Sequence, residues 1–149
     1  MKIRTFIVAF WLLVSACHTT VKINQQTLKQ IPSVFIGNFK DDYGSSYTIT
    51  SKVWIQDKRI IYHLLQYNNA EKFLIAKNDE ANPSDGGLYT RIDLIYFKNM
   101  KLWQWGYCLT VYKASTMQEA INTAMADRAN PRKGCNGYPF SRMKQIDKN

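Results

Sequence analysis

Short runs rich in β-branched and aromatic side chains recur between residues 34 and 112, and several of them alternate polar with apolar residues. Such runs favour a pleated, half-buried sheet, and Gly, Asn and Asp mark the turns between them, as at Asp57 and Asn68. Strands are predicted over 34–39, 47–56, 59–67, 72–77, 88–97 and 102–112. The chain is therefore predicted to be mainly β, with an antiparallel meander of about seven strands.

A meander of this kind must protect its sheet edges, and closure into a barrel does so. We expect a small lipocalin-like barrel, with an open curved sheet as the competing architecture. One C-terminal helix should follow the strands, because Ser115 or Thr116 can cap it and Gln118 or Glu119 can complete a capping box. Its core-facing stripe is predicted to comprise Met117, Ala120, Ile121, Ala124, Met125 and Arg128, with Asn130-Pro131 ending the helix.

The N-terminus has a cationic start with Lys2 and Arg4, an apolar run over 6–14, and small residues before Cys17. The run is too short for a transmembrane helix, which needs about 20 predominantly apolar residues. The segment Val14-Ser15-Ala16-Cys17 resembles the lipobox of bacterial lipoproteins, which signal peptidase II cuts before a lipidated cysteine. Ordinary secretion is the alternative, since Val-Ser-Ala also suits the general signal peptidase.

The lipobox resemblance implies a signal peptide over 1–16 and diacylglycerol attachment, with acyl chains such as palmitate, at Cys17. The protein would then be exported and lipid-anchored in the cell envelope, at the outer membrane if the source is Gram-negative. The polar stretch within 17–32 is predicted to be a tether that lets a domain stand roughly 20 Å from the membrane. Residues 33–149 are predicted to form one β-barrel-like domain.

The chain has three cysteines, an odd number that would leave one thiol over in an oxidising compartment. If Cys17 is acylated, Cys108 and Cys135 remain as a pair. Export makes a disulfide between them the favoured interpretation, with a redox or metal pair as the alternative. No CxxC spacing supports that alternative. The bond would tie the C-terminal tail to the last long strand.

Segments across the predicted domain resemble a group of small exported bacterial proteins of uncharacterised function. These segments are 42–47, Asn78-Asp79, 87–93 and 134–140. The resemblance spans most of the domain and implies no particular activity.

The formal net charge of the chain is +9, and it falls to +7 without Lys2 and Arg4. The cationic residues are scattered, which is typical of a solvated surface. The alternative is a functional basic face that contacts anionic lipid headgroups. Because no contiguous basic block exists, no nucleic-acid partner is expected.

Aromatic residues in the predicted strands are the candidates for a ligand site. Trp103, Trp105 and Tyr107 alternate along one strand, and Trp54 and Tyr89 are expected nearby. Such rings can line a ligand cavity, with Arg91 and Tyr107 orienting a polar end of the ligand. The alternative is that they are core, because side chains alone can fill so small a barrel.

No catalytic, nucleotide-binding or metal-binding motif is found in the sequence. His63 lies in a predicted strand, and the acidic loop with Asp79, Glu80 and Asp85 lacks the ligand pattern of a calcium loop. No cofactor is expected. Two functions stay open: a membrane-anchored module that binds a small apolar or amphipathic ligand, and an envelope structural or protein-interaction module without a ligand cavity. An enzyme is not expected.

Overall fold

The structure is a computed structural model that describes residues 31–146. In this part of the chain eight strands form a closed antiparallel barrel, in which each strand pairs with the next and the last pairs with the first. The strands are β1 (Gly37–Asp41), β2 (Ser46–Ile49), β3 (Val53–Gln56), β4 (Ile60–Asn68), β5 (Phe73–Asn78), β6 (Tyr89–Tyr96), β7 (Trp105–Ala114) and β8 (Ser141–Gln145). The predicted mainly β class and small barrel are confirmed.

The predicted strand over 47–56 is two strands, β2 and β3, joined by a tight turn. Thr50 makes that turn, because its hydroxyl accepts hydrogen bonds from the backbone amides of Lys52 (3.1 Å) and Val53 (3.0 Å). Local bonding by a threonine side chain competes with the strand ladder and can stop it. Because the whole segment is rich in β-branched residues, its composition does not indicate this turn.

Strand β8 lies in the C-terminal tail, where no strand is predicted. It closes the barrel by pairing with β1 on one side and β7 on the other. Its sequence, Ser-Arg-Met-Lys-Gln, is polar and has a single buried apolar residue, Met143. With so little apolar alternation, the segment gives almost no strand pattern of its own.

The two ends of the barrel are named here by their connections. The base is formed by the turns over 50–52 and 69–72 and the loop over 97–104. The chain also enters at the base, where a short 3₁₀ helix (Ser33–Phe35) places the Phe35 ring 5.0 Å from the Trp105 ring. The mouth is formed by the turns over 42–45 and 57–59 and the loop over 79–88.

The predictions for the N-terminus lie largely outside the described residues. The predicted signal peptide over 1–16, the lipidation site Cys17 and the tether up to residue 30 are all in this category. Ile31 is described, and it is buried in the same cluster as the barrel core. Packing against the barrel therefore begins before the predicted domain start at residue 33.

One helix, α1 (Met117–Asn122), lies between β7 and β8 within the described residues. The helix begins with a capping box, as predicted. The Thr116 hydroxyl accepts a hydrogen bond from the Glu119 amide (3.1 Å), and the Glu119 carboxylate accepts one from the Ser115 amide (2.8 Å). The helix packs on the outside of β5, β6 and β7.

The predicted helix is too long. It ends at Asn122, because Thr123 adopts an extended backbone conformation. Ala124, Met125 and Arg128 therefore lie beyond the helix rather than on its apolar stripe, and Met125 is exposed. Residues 115–140, which contain α1 and connect β7 to β8, are called the crossover segment below.

A disulfide joins Cys108 on β7 to Cys135 in the crossover segment, with the two Cα atoms 5.5 Å apart. This is the predicted pair. Around the bond, Phe140, Ala126 and Ile95 form a buried cluster on the outer wall of the barrel. The bond and this cluster together hold the crossover segment against the strands.

Candidate binding surface at the barrel mouth

The barrel interior is filled with aromatic rings. The Trp54 ring centroid lies 5.0 Å from that of Tyr107 and 6.0 Å from that of Trp105, in edge-to-face arrangements. Phe39 meets Trp105 in the same way at 5.1 Å. Eight strands enclose a space just wide enough for side chains to fill. Trp54, Trp105 and Tyr107, predicted as cavity-lining residues, thus pack mainly against one another and their neighbours.

The other three candidate ligand residues lie outside this cluster. Tyr89 packs against the outer cluster beneath α1. The Arg91 guanidinium lies 3.9 Å over the Phe73 ring in the same outer region. Trp103 lies in the loop at the base, with the Arg142 guanidinium 5.4 Å from its ring. The structure therefore brings three of the six candidates together in the interior and distributes the other three over the outer surface.

Arg91 belongs to a buried ionic network on the outer wall. Its Nε donates to the Asp93 carboxylate at 3.1 Å, and its Nη2 donates to the other carboxylate oxygen at 3.2 Å. Its Nη1 donates to the Ile121 carbonyl oxygen of α1 at 2.8 Å. The Thr110 hydroxyl also donates to Asp93. The guanidinium is thus held by this chain's own acceptors.

Arg128 connects the same network to the crossover segment. Its Nη2 donates to the Asp93 carboxylate at 2.8 Å, and its Nε donates to the Leu94 carbonyl at 2.7 Å. Its Nη2 also donates to the carbonyl oxygens of Glu71 and Lys72. Asp93 has no exposed surface. A buried carboxylate with two arginine partners is stable only when it is hydrogen-bonded in this way.

At the mouth, two buried tyrosines share a hydrogen-bond network with an aspartate. The Tyr47 hydroxyl donates to Asp41 Oδ2 at 2.7 Å, and it lies 2.7 Å from the Tyr107 hydroxyl. Asp41 Oδ1 accepts from the backbone amides of Tyr43 and Ser45 at 3.0 and 2.9 Å. The carboxylate thereby fixes the β1–β2 turn, a role that gave no motif in the sequence.

Burial keeps both hydroxyls protonated. It raises the pKa of Tyr107 to about 12, and it raises the pKa of Tyr47 well above its ordinary value. At neutral pH the pair is uncharged, and the Tyr47 hydroxyl is engaged with both Asp41 and Tyr107. The network is therefore suited to holding the mouth in shape rather than to proton transfer.

A cleft of about 380 Å³ opens at the mouth. Tyr62, Leu109 and Tyr112 contribute its apolar surface, and Asn78 and Asp85 contribute polar groups. Asn78 is buried, and its amide donates to the carbonyl oxygens of Asp85 (2.8 Å) and Tyr112 (2.9 Å). These hydrogen bonds hold the polar wall of the cleft in place. The volume of the cleft lies near the lower end of the range for small-ligand pockets.

Beside this cleft lies a groove of about 460 Å³. Three exposed tyrosines line it, with exposed fractions of 69% for Tyr43, 46% for Tyr112 and 73% for Tyr138. These three residues are called the tyrosine rim. Pro139 and Asn136 complete the exposed surface of the groove. Tyrosine combines a large apolar ring with a polar tip, which is why it is enriched at binding interfaces.

Different local structures position the three rings. The Tyr43 amide is bound by Asp41 in the β1–β2 turn. Tyr112 lies in an irregular part of the β6–β7 pairing, where the register shifts at two places and changes the direction of the side chains. Tyr138 lies in a tight turn that pairs with Cys135 of the disulfide. The rim was not predicted, because its members are far apart in sequence.

The His63 Nε2 and Asp79 Oδ2 atoms are hydrogen-bonded on the outer surface, 2.7 Å apart. The backbone amide of Ala81 and the His63 side chain both hydrogen-bond to Asp79, and they lower the pKa of its carboxyl. The cross-strand neighbours of His63 are Val53 and Lys77, which supply no hydroxyl or thiol nucleophile. The two side chains thus form a surface hydrogen bond with no nucleophile beside it.

Within residues 31–146, no group of three or more His, Cys, Asp or Glu side chains is arranged to hold a metal ion. In the acidic loop, Glu80 is paired with Lys77 at 3.1 Å. A separate finding concerns helices: over the same residues, none is long and apolar enough to cross a membrane.

Comparison with known proteins gives no further assignment. The chain matches no family model, no curated protein and no solved structure at a significant level. Its class is therefore defined by its own structure: a small closed antiparallel barrel of eight strands in the described residues, with a ring-filled interior and a tyrosine-lined groove at its mouth.

Proposed function

We propose that this protein is a lipid-anchored module of the bacterial cell envelope that binds a protein partner through the tyrosine rim. The observation that carries the proposal is the convergence of Tyr43, Tyr112 and Tyr138 on one groove. The filled interior supports it too, because Trp54 and Trp105 occupy the space that an enclosed ligand would need. The proposed location rests on the lipobox and Cys17.

The groove offers a partner both apolar surface and hydrogen bonds. Exposed rings at the centre of a contact supply much of its binding energy, and truncating one such residue typically costs 2 kcal/mol or more, about 30-fold in affinity. The three rings are attached to separate elements that the Asp41 contacts and the disulfide hold in place. A prearranged surface of this kind loses little conformational entropy on binding.

Photo-crosslinking in cells would test the rim directly. A photoreactive amino acid at position 138 should give a discrete adduct with one protein, and the same amino acid at position 65 should not. Leu65 is the matched control, because it is also an exposed apolar residue but lies on the β4 wall. Equal crosslinking from both positions, or none from position 138, would contradict the proposal.

Substitution of the rim provides an independent measurement. Tyr43→Ala with Tyr138→Ala should reduce recovery of the crosslinked partner by at least tenfold in affinity purification at moderate salt. Leu65→Ala should leave it unchanged. The thermal unfolding of each variant should be measured alongside, so that loss of the fold is not mistaken for loss of binding.

The lipid anchor needs its own test. Cys17→Ala should abolish incorporation of labelled palmitate and shift the protein out of the membrane fraction. Unchanged partitioning of this variant would contradict the anchored location, whatever the result for the rim.

A second candidate function has a specific observation in its favour. The cleft at the mouth has the size and mixed lining of a small-molecule site, with the Tyr62 ring and the Asn78 and Asp85 groups facing it. A small amphipathic ligand would then bind at the mouth rather than inside the barrel. Native mass spectrometry of protein extracted from its own membrane should reveal added mass beyond the acyl chains, and its absence would remove this candidate.

A further inference from the structure

We propose that the base of the barrel rests on an anionic lipid surface, with the loop over 98–103 as the contact. This inference rests on the proposed membrane location, and it is independent of the tyrosine rim. It adds a second, electrostatic membrane contact and a fixed orientation of the barrel to the anchor at Cys17.

The position of the chain entry brings the base toward the membrane. Ile31 is buried in the core cluster, and Val34 shares a small cleft with Lys101 and Leu102. The β6–β7 loop is therefore next to the point where the chain joins the barrel. Thirteen residues separate Cys17 from Ile31. A chain of that length spans at most about 45 Å. This segment joins the barrel at the base rather than at the mouth.

Charge distinguishes the two ends of the barrel. The connections at the base carry Lys52, Lys72, Lys98 and Lys101 against Glu71 alone, a net charge of +3. The connections over 57–59 and 79–88 at the mouth carry a net charge of −2, from Asp57, Asp79, Glu80 and Asp85 against Lys58 and Arg59. The turn over 42–45 adds Asp42, but this residue is paired with Arg142 and lines a cleft together with Phe97 and Met100 of the base loop. The crossover segment, which packs on the outer face of β5, β6 and β7, contributes +1 from Arg128, Arg132 and Lys133 against Glu119 and Asp127.

An anionic membrane surface attracts the base and repels the mouth. Each lysine close to such a surface contributes about 1 kcal/mol of attraction, which decays within a Debye length. Lys98 and Lys101 are both exposed. They are three residues apart in one loop, so a single orientation brings both to the headgroups.

The same loop exposes apolar groups between its lysines. Leu102 is 59% exposed, and Tyr96, at the end of β6, is also exposed. Trp103 is partly exposed beside them. Leucine and aromatic rings flanked by lysines match the boundary between headgroups and acyl chains, where the rings lie at headgroup depth. The combination of charge and apolar exposure favours a lipid surface over a purely polar partner.

A depth-sensitive label on the full chain tests the contact. Protein purified from its membrane would carry an NBD fluorophore at Leu102→Cys or, as the control in the tyrosine rim, at Tyr138→Cys. Each form would be reconstituted into vesicles of phosphatidylcholine with or without 30% phosphatidylglycerol. The label at position 102 should be quenched by nitroxide lipids in phosphatidylglycerol vesicles, and the label at position 138 should not.

Charge reversal separates attraction from chance proximity. Lys98→Glu with Lys101→Glu should lower the ratio of docked to undocked barrel by about 30-fold or more, which removes the quenching at position 102. Lys58→Glu with Arg59→Glu makes the same change in net charge at the mouth and should leave the quenching in place. Salt at 0.5 M should weaken the quenching of the unsubstituted loop.

Equal quenching at positions 102 and 138, or quenching at position 102 that is the same without phosphatidylglycerol, would overturn the proposal. So would quenching that survives the Lys98 and Lys101 reversals. Crosslinking of position 102 to a protein in place of lipid quenching would also overturn it. Failure of the anchor is seen separately, as an absence of labelled palmitate at Cys17, and failure of the rim is seen only in its own crosslinks.

Discussion

Asp93→Asn should lower the free energy of unfolding more than any other single substitution that removes one charge from the barrel. Asp93 is fully buried and accepts side-chain hydrogen bonds from Arg91, Arg128 and Thr110. Asparagine keeps the shape but removes the negative charge. The Arg91 guanidinium, 1% exposed, then keeps only the half-exposed Glu71 carboxylate, 3.7 Å away, as a counter-charge.

The structure sets the size of the effect. Removing one partner of a buried ion pair costs about 3 to 5 kcal/mol, because the remaining charge stays desolvated. Arg91 keeps its bond to the Ile121 carbonyl and its contact with the Phe73 ring, which favours the lower half of that range. We expect a loss of about 3 to 4 kcal/mol in the free energy of unfolding for Asp93→Asn.

Urea unfolding followed by tryptophan fluorescence measures this loss. The matched control is Asp42→Asn, which removes the same charge from a pair with Arg142 whose oxygen and nitrogen are 2.7 Å apart but partly exposed. Exposed pairs contribute about 1 kcal/mol or less. A loss below about 1 kcal/mol for Asp93→Asn, or equal losses for the two variants, would refute the argument from burial.

Three further predictions concern the disulfide, the mouth and the β7 backbone. Replacing Cys108 and Cys135 together by alanine should lower the free energy of unfolding by about 3 to 4 kcal/mol in urea titrations. Burial raises the pKa of Tyr107 from 10.0 to about 12. The free energy of unfolding should therefore be constant below pH 10, with respect to this group, and fall between pH 10 and 12. A free energy of unfolding that stays constant up to pH 12 would contradict this. Gly106→Ala would place a Cβ 2.6 Å from the Ser141 carbonyl oxygen and should therefore lower the midpoint of thermal unfolding. A midpoint unchanged by the substitution would contradict the close contact.

The predictable part of the fold lies where side chains alternate strongly. The hairpin at Asp57-Lys58 is an example, since both residues adopt positive φ and the strands on either side are β-branched or aromatic. Strand β8 is the opposite case, because it pairs with β1 and β7 through its backbone and buries only Met143. A strand that is held mainly by backbone hydrogen bonds has no apolar side-chain pattern from which it could be predicted.

The candidate site was predictable only in part. Trp54, Trp105 and Tyr107 do meet, because their alternation in the strands fixes the face on which they lie. Tyr89 and Arg91 were expected on that face too, but their strand β6 turns them toward α1 instead. The rim residues come from a turn, a strand end and the crossover segment, so no local pattern relates them.

The filled interior decides where this protein can act. A barrel of eight strands can hold one small ligand or be filled by its own side chains, and here large aromatic rings occupy the interior. Recognition is then left to the two ends and the outer wall, and the wall over β5, β6 and β7 is covered by the crossover segment, which Asp93 and the disulfide hold in place. The ends differ in charge and in exposed chemistry: lysines with Leu102 at the base, and acidic turns with a tyrosine groove at the mouth. A barrel held by its base on a membrane would present the groove at its mouth to the surrounding envelope.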